Sequence, residues 1–394
     1  MDKTLEIAHC VQEYAPNVGG MAEVVRQLSE RLVRLGHRVT VFTSENSKRT
    51  DTVLNGVSIR AYALSGNAVE GINGDPSQYI SDIQSMKFDV VTIFASQHWA
   101  SDLLLPILDR IDAKRVFVPT GFSALHNQRY NNYFNSMSTW LLSFDMNVFL
   151  SNSYQDILFA KNSGVTKFTI IPNGAAEEEF SRSVSFDLRR KLKIKNEKII
   201  LHVGSYTGIK GHVEALNIFL NSRERNTVLL MIGARNSYLK KAMWRSPGLL
   251  PLALKLFLKR KKYFLVEWSR NETIDAFRQA DLFLFPSKVE CSPIVLFESM
   301  AAGLPFLSSP AGNAEELVQW SNGAGIILPS VMSDQHLVEV DVEQSAIVLD
   351  KTICDTAWLK EASMHGHEAW QKKFTWQNIA LQYERLYKSL VNNH

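Results

Sequence analysis

Along most of this chain, short runs of β-branched and aromatic residues alternate with longer segments whose apolar positions recur every three or four residues. Residues 5–10 read as a buried first strand. Val24, Leu28, Leu32 and Leu35 then mark one face of a helix, which Gly36 ends as the residue just past its C-cap. Further strands are predicted at 39–42, 90–94, 115–118, 147–150 and 168–171, the last closed by Pro172-Asn173-Gly174. A charged segment from about 182 to 198 separates this half from a second one. Its strands are predicted at 199–203, 228–232, 264–266, 282–285 and 306–308. Such alternation implies parallel sheets with helices on both faces. The expected fold is α/β: two doubly wound, Rossmann-like domains facing a cleft, with ligands at the carboxyl ends of the strands. The domains are drawn at 1–178 and 179–374. A final helix, 375–391, carries Trp376, Ile379, Tyr383 and Tyr387 on one face, an apolar stripe that needs a dock, and Thr375 is its expected cap.

Composition narrows the function classes. A length of 394 residues suits two domains, and 45% hydrophobic with 21% charged residues is ordinary for a soluble globular protein. A formal net charge of +3 gives no reason to invoke nucleic acid. Cys10, Cys291 and Cys354 are far apart and show neither a disulfide framework nor a zinc spacing, which fits a reducing cytoplasm. The first residues lack the apolar core of a signal peptide. No run approaches the ~20 apolar residues of a spanning helix. A cytoplasmic protein is expected.

The stretch from Pro286 to Glu298 carries the chemistry. The strand at 282–285 is stopped by Pro286. Ser292 is a good N-cap and Pro293 suits a first helical position, so a helix is predicted to start at Pro293. The amides around Pro293 and Ile294 then form an anion site at the end of the sheet. Glu290 lies in the loop before this helix and Glu298 in its second turn. Carboxylates accept hydrogen bonds from sugar and ribose hydroxyls. Two of them flanking a phosphate-binding helix start suit a nucleoside-diphosphate sugar.

Glu290 and Glu298 in a Glu-x7-Glu spacing, followed by Ser-Met-Ala-Ala-Gly-Leu-Pro, resemble the signature of the family-4 retaining glycosyltransferases, which have the GT-B fold. The resemblance implies that Glu290 touches the donor sugar near its reacting carbon and that Glu298 binds ribose. Other segments match in order. Pro16-Asn17-Val18-Gly19-Gly20 resembles the family's N-terminal glycine loop, where Gly19 and Gly20 let a phosphate or sugar approach the backbone. Ile171-Pro172-Asn173-Gly174 resembles its interdomain turn. The segment 202–211 resembles its donor-phosphate loop, with Lys210 before Gly211 as the diphosphate lysine. Ser205 stands where the family commonly has arginine, and Arg270 is a candidate to compensate. The family's active-site histidine has no direct counterpart, since the corresponding place reads Pro119-Thr120-Gly121-Phe122-Ser123. His98 and His126, both following strand ends, are the candidates to replace it.

Between Arg235 and Lys262 there are nine Lys or Arg and no acidic residue, interleaved with leucines. As a helix after Pro251, this segment places Lys255, Lys259 and Lys262 on one face. Two readings stay open for 249–262: an interfacial contact with anionic membrane, or a helix packed on the second domain with a solvated basic side.

The resemblance implies a nucleotide-sugar donor on the second domain, a glycan or lipid-linked acceptor on the first, and same-face transfer in bacterial surface-polysaccharide synthesis. No Asp-x-Asp pair is present, so neither a metal nor a cofactor beyond the donor is expected. Two other functions remain on the same fold: a nucleotide-sugar epimerase, and a non-catalytic sugar-nucleotide-binding subunit.

Overall fold

The computed structural model describes residues 3–17, 19–233 and 261–392. It divides into two compact units, Met1–Asn173 with Trp376–His394, and Gly174–Thr375. The division falls within the Ile171-Pro172-Asn173-Gly174 turn, ahead of residue 178. Beyond this turn, Ala175 donates to the Phe374 carbonyl, and the Trp370 indole donates to the Ala175 carbonyl.

The first unit is built on an eight-stranded sheet. Its strands are β1 (Glu6–Cys10), β2 (Arg38–Ser44), β3 (Val53–Leu54), β4 (Val57–Tyr62), β7 (Val90–Phe94), β8 (Lys114–Val118), β9 (Met146–Phe149) and β10 (Phe168–Ile170); β5 (Ser65–Asn67) and β6 (Gly71–Asn73) form a separate small ribbon. The order is β10-β9-β8-β7-β1-β2-β4-β3, parallel except for β3 against β4. The second unit has a six-stranded parallel sheet of β11 (Lys198–Val203), β12 (Thr227–Ile232), β13 (Lys262–Val266), β14 (Leu282–Phe285), β15 (Phe306–Ser308) and β16 (Gly325–Ile327), with β17 (Ser330–Met332) and β18 (Val338–Val340) as a hairpin. Its order, β13-β12-β11-β14-β15-β16, is the dinucleotide-fold order, and it reverses between β11 and β14. In the first unit the reversal lies between β1 and β7.

Burial explains why these segments became strands. Parallel sheets are covered on both faces, so their strands read as continuous apolar runs. Every residue of β7, β12 and β14 is buried. The second unit has a core on each face of its sheet, one around Leu201, Phe283 and Phe297, the other around Phe219, Leu229 and Leu284.

The helix Trp376–Asn392 returns to the first unit and lies along the helix Gly20–Arg34. Its apolar stripe is buried at Trp376, Ile379, Tyr383 and Tyr387. Tyr387 Oη and Thr92 Oγ1 are 2.7 Å apart, and His37 Nε2 lies 3.1 Å from Glu384 Oε1.

Two expectations change. The helix after β14 spans Ile294–Ala301 with Pro293 as its N-cap residue, not Ser292. The Ser292 hydroxyl instead accepts a 3.0 Å bond from Asn313 Nδ2. The basic segment lies outside the described residues except at its end, and there it is not helical. Lys262 opens β13, and Lys261 is buried, donating to the Phe219 carbonyl with its ammonium 4.4 Å from that ring's centre.

Trp376→Ala should destabilise the first unit by about 3–5 kcal/mol through the cavity it leaves. Tyr387→Phe should cost only ~1 kcal/mol, for the lost hydrogen bond. Urea unfolding of the two variants checks this ordering.

Candidate functional site

In the second unit, the point where strand order reverses is flanked by two loops, one after β11 and one after β14. They are tied together by backbone. Lys288 N donates to Ile209 O at 2.8 Å, and Ser287 Oγ lies 3.1 Å from the same carbonyl. Gly211 has φ +76°, and a Cβ there would lie 2.0 Å from the Pro286 carbonyl oxygen. Only glycine permits that approach. Gly312, at φ +68°, does the same for the other side of the second loop, where a Cβ would sit 2.5 Å from Cys291 O.

This closure brings Lys210 and Glu290 together from residues eighty apart. Lys210 Nζ lies 2.7 and 2.9 Å from the two Glu290 oxygens. Ser287 Oγ donates to Glu290 Oε1 at 2.7 Å. The Glu290 side chain is only 9% exposed, so its charge needs these partners. Ser205, in the same loop as Lys210, is exposed.

Glu298 is on the helix Ile294–Ala301 and 2% exposed. Its Oε1 lies 2.5 Å from Arg270 Nη1. Arg270 begins the helix Arg270–Phe277, which is fixed by a reciprocal Ser269–Glu272 capping box. The rest of its guanidinium faces Glu179, with Nε to Oε1 at 2.9 Å and Nη2 to Oε2 at 2.5 Å. Burial works against the Arg270 charge, but Glu298 and Glu179 outweigh it and hold its pKa above the usual arginine range. The structure therefore places four of the predicted site residues in two ion-paired groups, Lys210–Glu290 and Arg270–Glu298, with Glu179 as an additional partner of Arg270.

Flanking the loop after β11 is a pair of buried histidines. His202 Nδ1 donates to Leu284 O at 2.8 Å, and His212 Nε2 to Gly204 O at 3.2 Å. Their rings are 4.2 Å apart, edge to face. Burial pushes His202 down to about 4 and His212 to about 2.

In the first unit, His98 follows β7 at the strand-order reversal, and its Nδ1 lies 3.0 Å from Gln12 Oε1 on the segment after β1. Burial lowers its pKa, partly opposed by Asp102 and Glu13. The ends of β7 and β8 carry four non-glycine residues at positive φ: Ala95, Gln97, Thr120 and Phe122. Each such residue costs on the order of 1–3 kcal/mol, and this kind of strain concentrates at functional sites. The Thr120–Phe122 turn is clamped by Gln155, whose Nε2 donates to Gly121 O at 2.7 Å and Phe122 O at 3.0 Å. The adjacent Asp156 is fully buried. Burial raises its pKa to about 6, against backbone hydrogen bonds from Ile157 and Gly121. His126 lies beyond this turn and is exposed. Gly19 and Gly20 are exposed at the start of the helix Gly20–Arg34. Gly19 has φ −179°, extended backbone that any residue adopts, so conformation is not the reason for glycine there.

Sequence reasoning missed Glu179, Ser287, His212, Gln12, Gln155 and Asp156. Only Glu179 had a local signal, as the last of three glutamates just after the Asn173-Gly174 turn.

Each unit is thus a nucleotide-fold sheet with polar residues gathered where its strand order reverses. A glycosyl transferases group 1 model matches residues 184–340, and a Glycosyltransferase Family 4 model matches 18–179. The chain belongs to the family-4 glycosyltransferases. An uncharacterized glycosyltransferase of Methanocaldococcus jannaschii is 23% identical over 98% of both chains. The lipopolysaccharide glucosyltransferase WaaG of Escherichia coli is 24% identical over 85% of this chain and 88% of its own. Among solved structures, Anabaena HepE in complex with UDP and glucose superposes with a TM-score of 0.72 at 14% identity, covering 98% of this chain and 100% of its own. The fold is GT-B. No helix among the described residues is long and apolar enough to cross a membrane.

The buried histidines give a pH prediction. His202 and His212 are neutral when folded, but in the unfolded chain they take up protons below their ordinary value of 6.5. The unfolded state then binds more protons, so stability should fall as pH drops from 6.5 toward 4, by up to about 1.4 kcal/mol per pH unit for each histidine. His212→Gln should flatten that slope in urea titrations of the second unit.

Proposed function

We propose that the chain transfers a sugar, with retention at the anomeric carbon, from a nucleotide-sugar donor to a glycan or lipid-linked acceptor in bacterial surface-polysaccharide or glycoconjugate synthesis. The observation that carries this reading is the convergence of Lys210, Glu290, Arg270 and Glu298 around the strand-order reversal of the second unit. Ligands bind there in open α/β sheets. Family membership supports a transferase, and the names of WaaG and of the UDP-bound HepE support a nucleotide-sugar donor and a surface glycan.

On this reading Lys210 and the amides of Pro293-side residues, including Ser292 and Ile294, face the diphosphate. Glu298 accepts from the ribose hydroxyls, and Glu290 from the sugar. The Lys210–Glu290 pair gives the donor two tasks at once. The diphosphate takes over Lys210, and the sugar hydroxyls take over the lone pairs that Glu290 then releases. In the transfer itself, the acceptor oxygen bonds to the anomeric carbon on the face that the leaving phosphate vacates. The carbon–oxygen bond to the diphosphate breaks, and that phosphate accepts the acceptor's proton. Stabilising the growing phosphate charge supplies much of the rate. No dedicated nucleophile and no divalent ion enter this scheme, consistent with a sequence lacking Asp-x-Asp.

The acceptor is assigned to the first unit, at the strained strand ends around Gln97 and Thr120, with His98 the better-placed histidine and His126 more peripheral. Gly19 and Gly20 leave room at the helix start beside them. The protein acts in the cytoplasm.

The test is a metal-free thermal-shift and transfer screen against UDP-, GDP- and ADP-sugars. One nucleotide class should raise the melting temperature of the wild type. Glu290→Gln and Lys210→Ala should each lower kcat by roughly a hundredfold or more, and Glu298→Ala should chiefly raise the donor KM. Donor binding without turnover, even with lipid extract supplied, would replace this reading by the non-catalytic subunit. Interconversion of the donor sugar without an acceptor would replace it by the epimerase.

A further inference from the structure

Glu179 has no part in the reading above, yet it makes the most extensive contact with Arg270. The guanidinium has five N–H donors in a rigid fork. Nε and Nη2 go to the two oxygens of Glu179, a side-on bidentate pair, and Nη1 goes to Glu298. The three residues come from three helices: Glu177–Ser181, Arg270–Phe277 and Ile294–Ala301. Their exposures form a gradient, with Glu298 at 2%, Glu179 at 21% and Arg270 at 43%.

That gradient decides the roles. A carboxylate as buried as Glu298 stays ionised at low cost only beside a fixed cation. Arg270 is too exposed for packing to fix it. Its flexible stem would otherwise let the guanidinium turn to solvent or to a phosphate. Glu179 occupies the edge of the fork that points away from Glu298, and the planar geometry then leaves Nη1 aimed at Glu298.

We infer that Glu179 is a positioning residue for donor ribose recognition, holding Arg270 so that Arg270 fixes the charge and orientation of Glu298. The inference rests on Glu298 being the ribose acceptor. It also moves Arg270 away from the role of substitute diphosphate cation, because its charge and three of its five donors are engaged by two carboxylates. Ser205 then leaves Lys210 and the backbone amides as the diphosphate's partners in this loop.

The experiment compares binding of UDP-glucose, GDP-mannose and ADP-glucose with their 2′,3′-dideoxyribose counterparts, by calorimetry on the full chain. Hydrogen bonds to a charged group imply that wild type prefers the ribose form of its donor by about tenfold or more. Glu179→Ala should reduce that preference to within about threefold while leaving affinity for the dideoxy form nearly unchanged. Glu179→Gln keeps an acceptor toward Arg270 Nε and should fall between the two. A merely structural loss would weaken both forms alike and leave their ratio intact. A wild-type ratio retained in folded Glu179→Ala and Glu179→Gln overturns the positioning role while the donor site stands. A wild type that binds a nucleotide sugar without ribose preference overturns the assignment of Glu298, and the role of Glu179 with it. Binding of none of the probes overturns the donor site.

Discussion

The second unit depends on one close approach of backbone to backbone. Gly211 presses against the Pro286 carbonyl at a distance no side chain allows, and Gly312 does the same against Cys291. Gly211 fixes the loops after β11 and β14 relative to each other at the reversal of strand order, and Gly312 fixes the turn after β15 against the loop after β14. Lys210, Glu290 and Glu298 hang from these loops or from the helix that follows, and Arg270 and Glu179 reach Glu298 from two other helices. Lys210 meets Glu290 because Gly211 lets its loop close. Glu290 accepts a hydrogen bond from the Ser287 hydroxyl, and the Lys288 amide ties the same loop across to Ile209.

The same topology appears in the first unit with different means. There the reversal lies between β1 and β7, and Gln12 and His98 bridge it. Strained, non-glycine backbone marks the strand ends, and two groups on the helix Gln155–Asn162, the part-buried Gln155 and the buried Asp156, stabilise it. The second unit thus spends glycines to bring backbone close, whereas the first spends hydrogen bonds to hold side-chain-bearing residues in a costly conformation. The first arrangement suits a ligand gripped by amides and charges. The second suits a surface that meets a ligand through its side chains.

Electrostatics links site to fold in a second way. The cations of the candidate site in the second unit are not free: Lys210 is engaged by one carboxylate and Arg270 by two. Buried carboxylates need such partners, and the partners set which groups a ligand must displace. Lys210 faces a single exchangeable carboxylate. Arg270 is held on two sides.

The sequence by itself determined a great deal. Runs of buried strands and the 3.6-residue period of helices are local patterns, and a parallel sheet covered on both faces writes them strongly. The strands at 90–94, 228–232 and 282–285, the stripe of the terminal helix, and the Glu290–Glu298 spacing were all readable for that reason. Strands at or next to a sheet edge, such as β16 and β4, which are short or only half-buried, were not. Nor were the partners. Lys210 and Glu290 are eighty residues apart, and Arg270 is drawn to Glu179 ninety-one residues away. Charge pairing across such separations leaves no periodicity in the chain. Ser292 shows the same limit at short range: it is a good N-cap by type, but a glycine turn beyond β15 delivers Asn313 to its hydroxyl. Local pattern fixed which segments are strands and helices. Only the packed sheet, by bringing distant loops to one edge, decided which charges face each other.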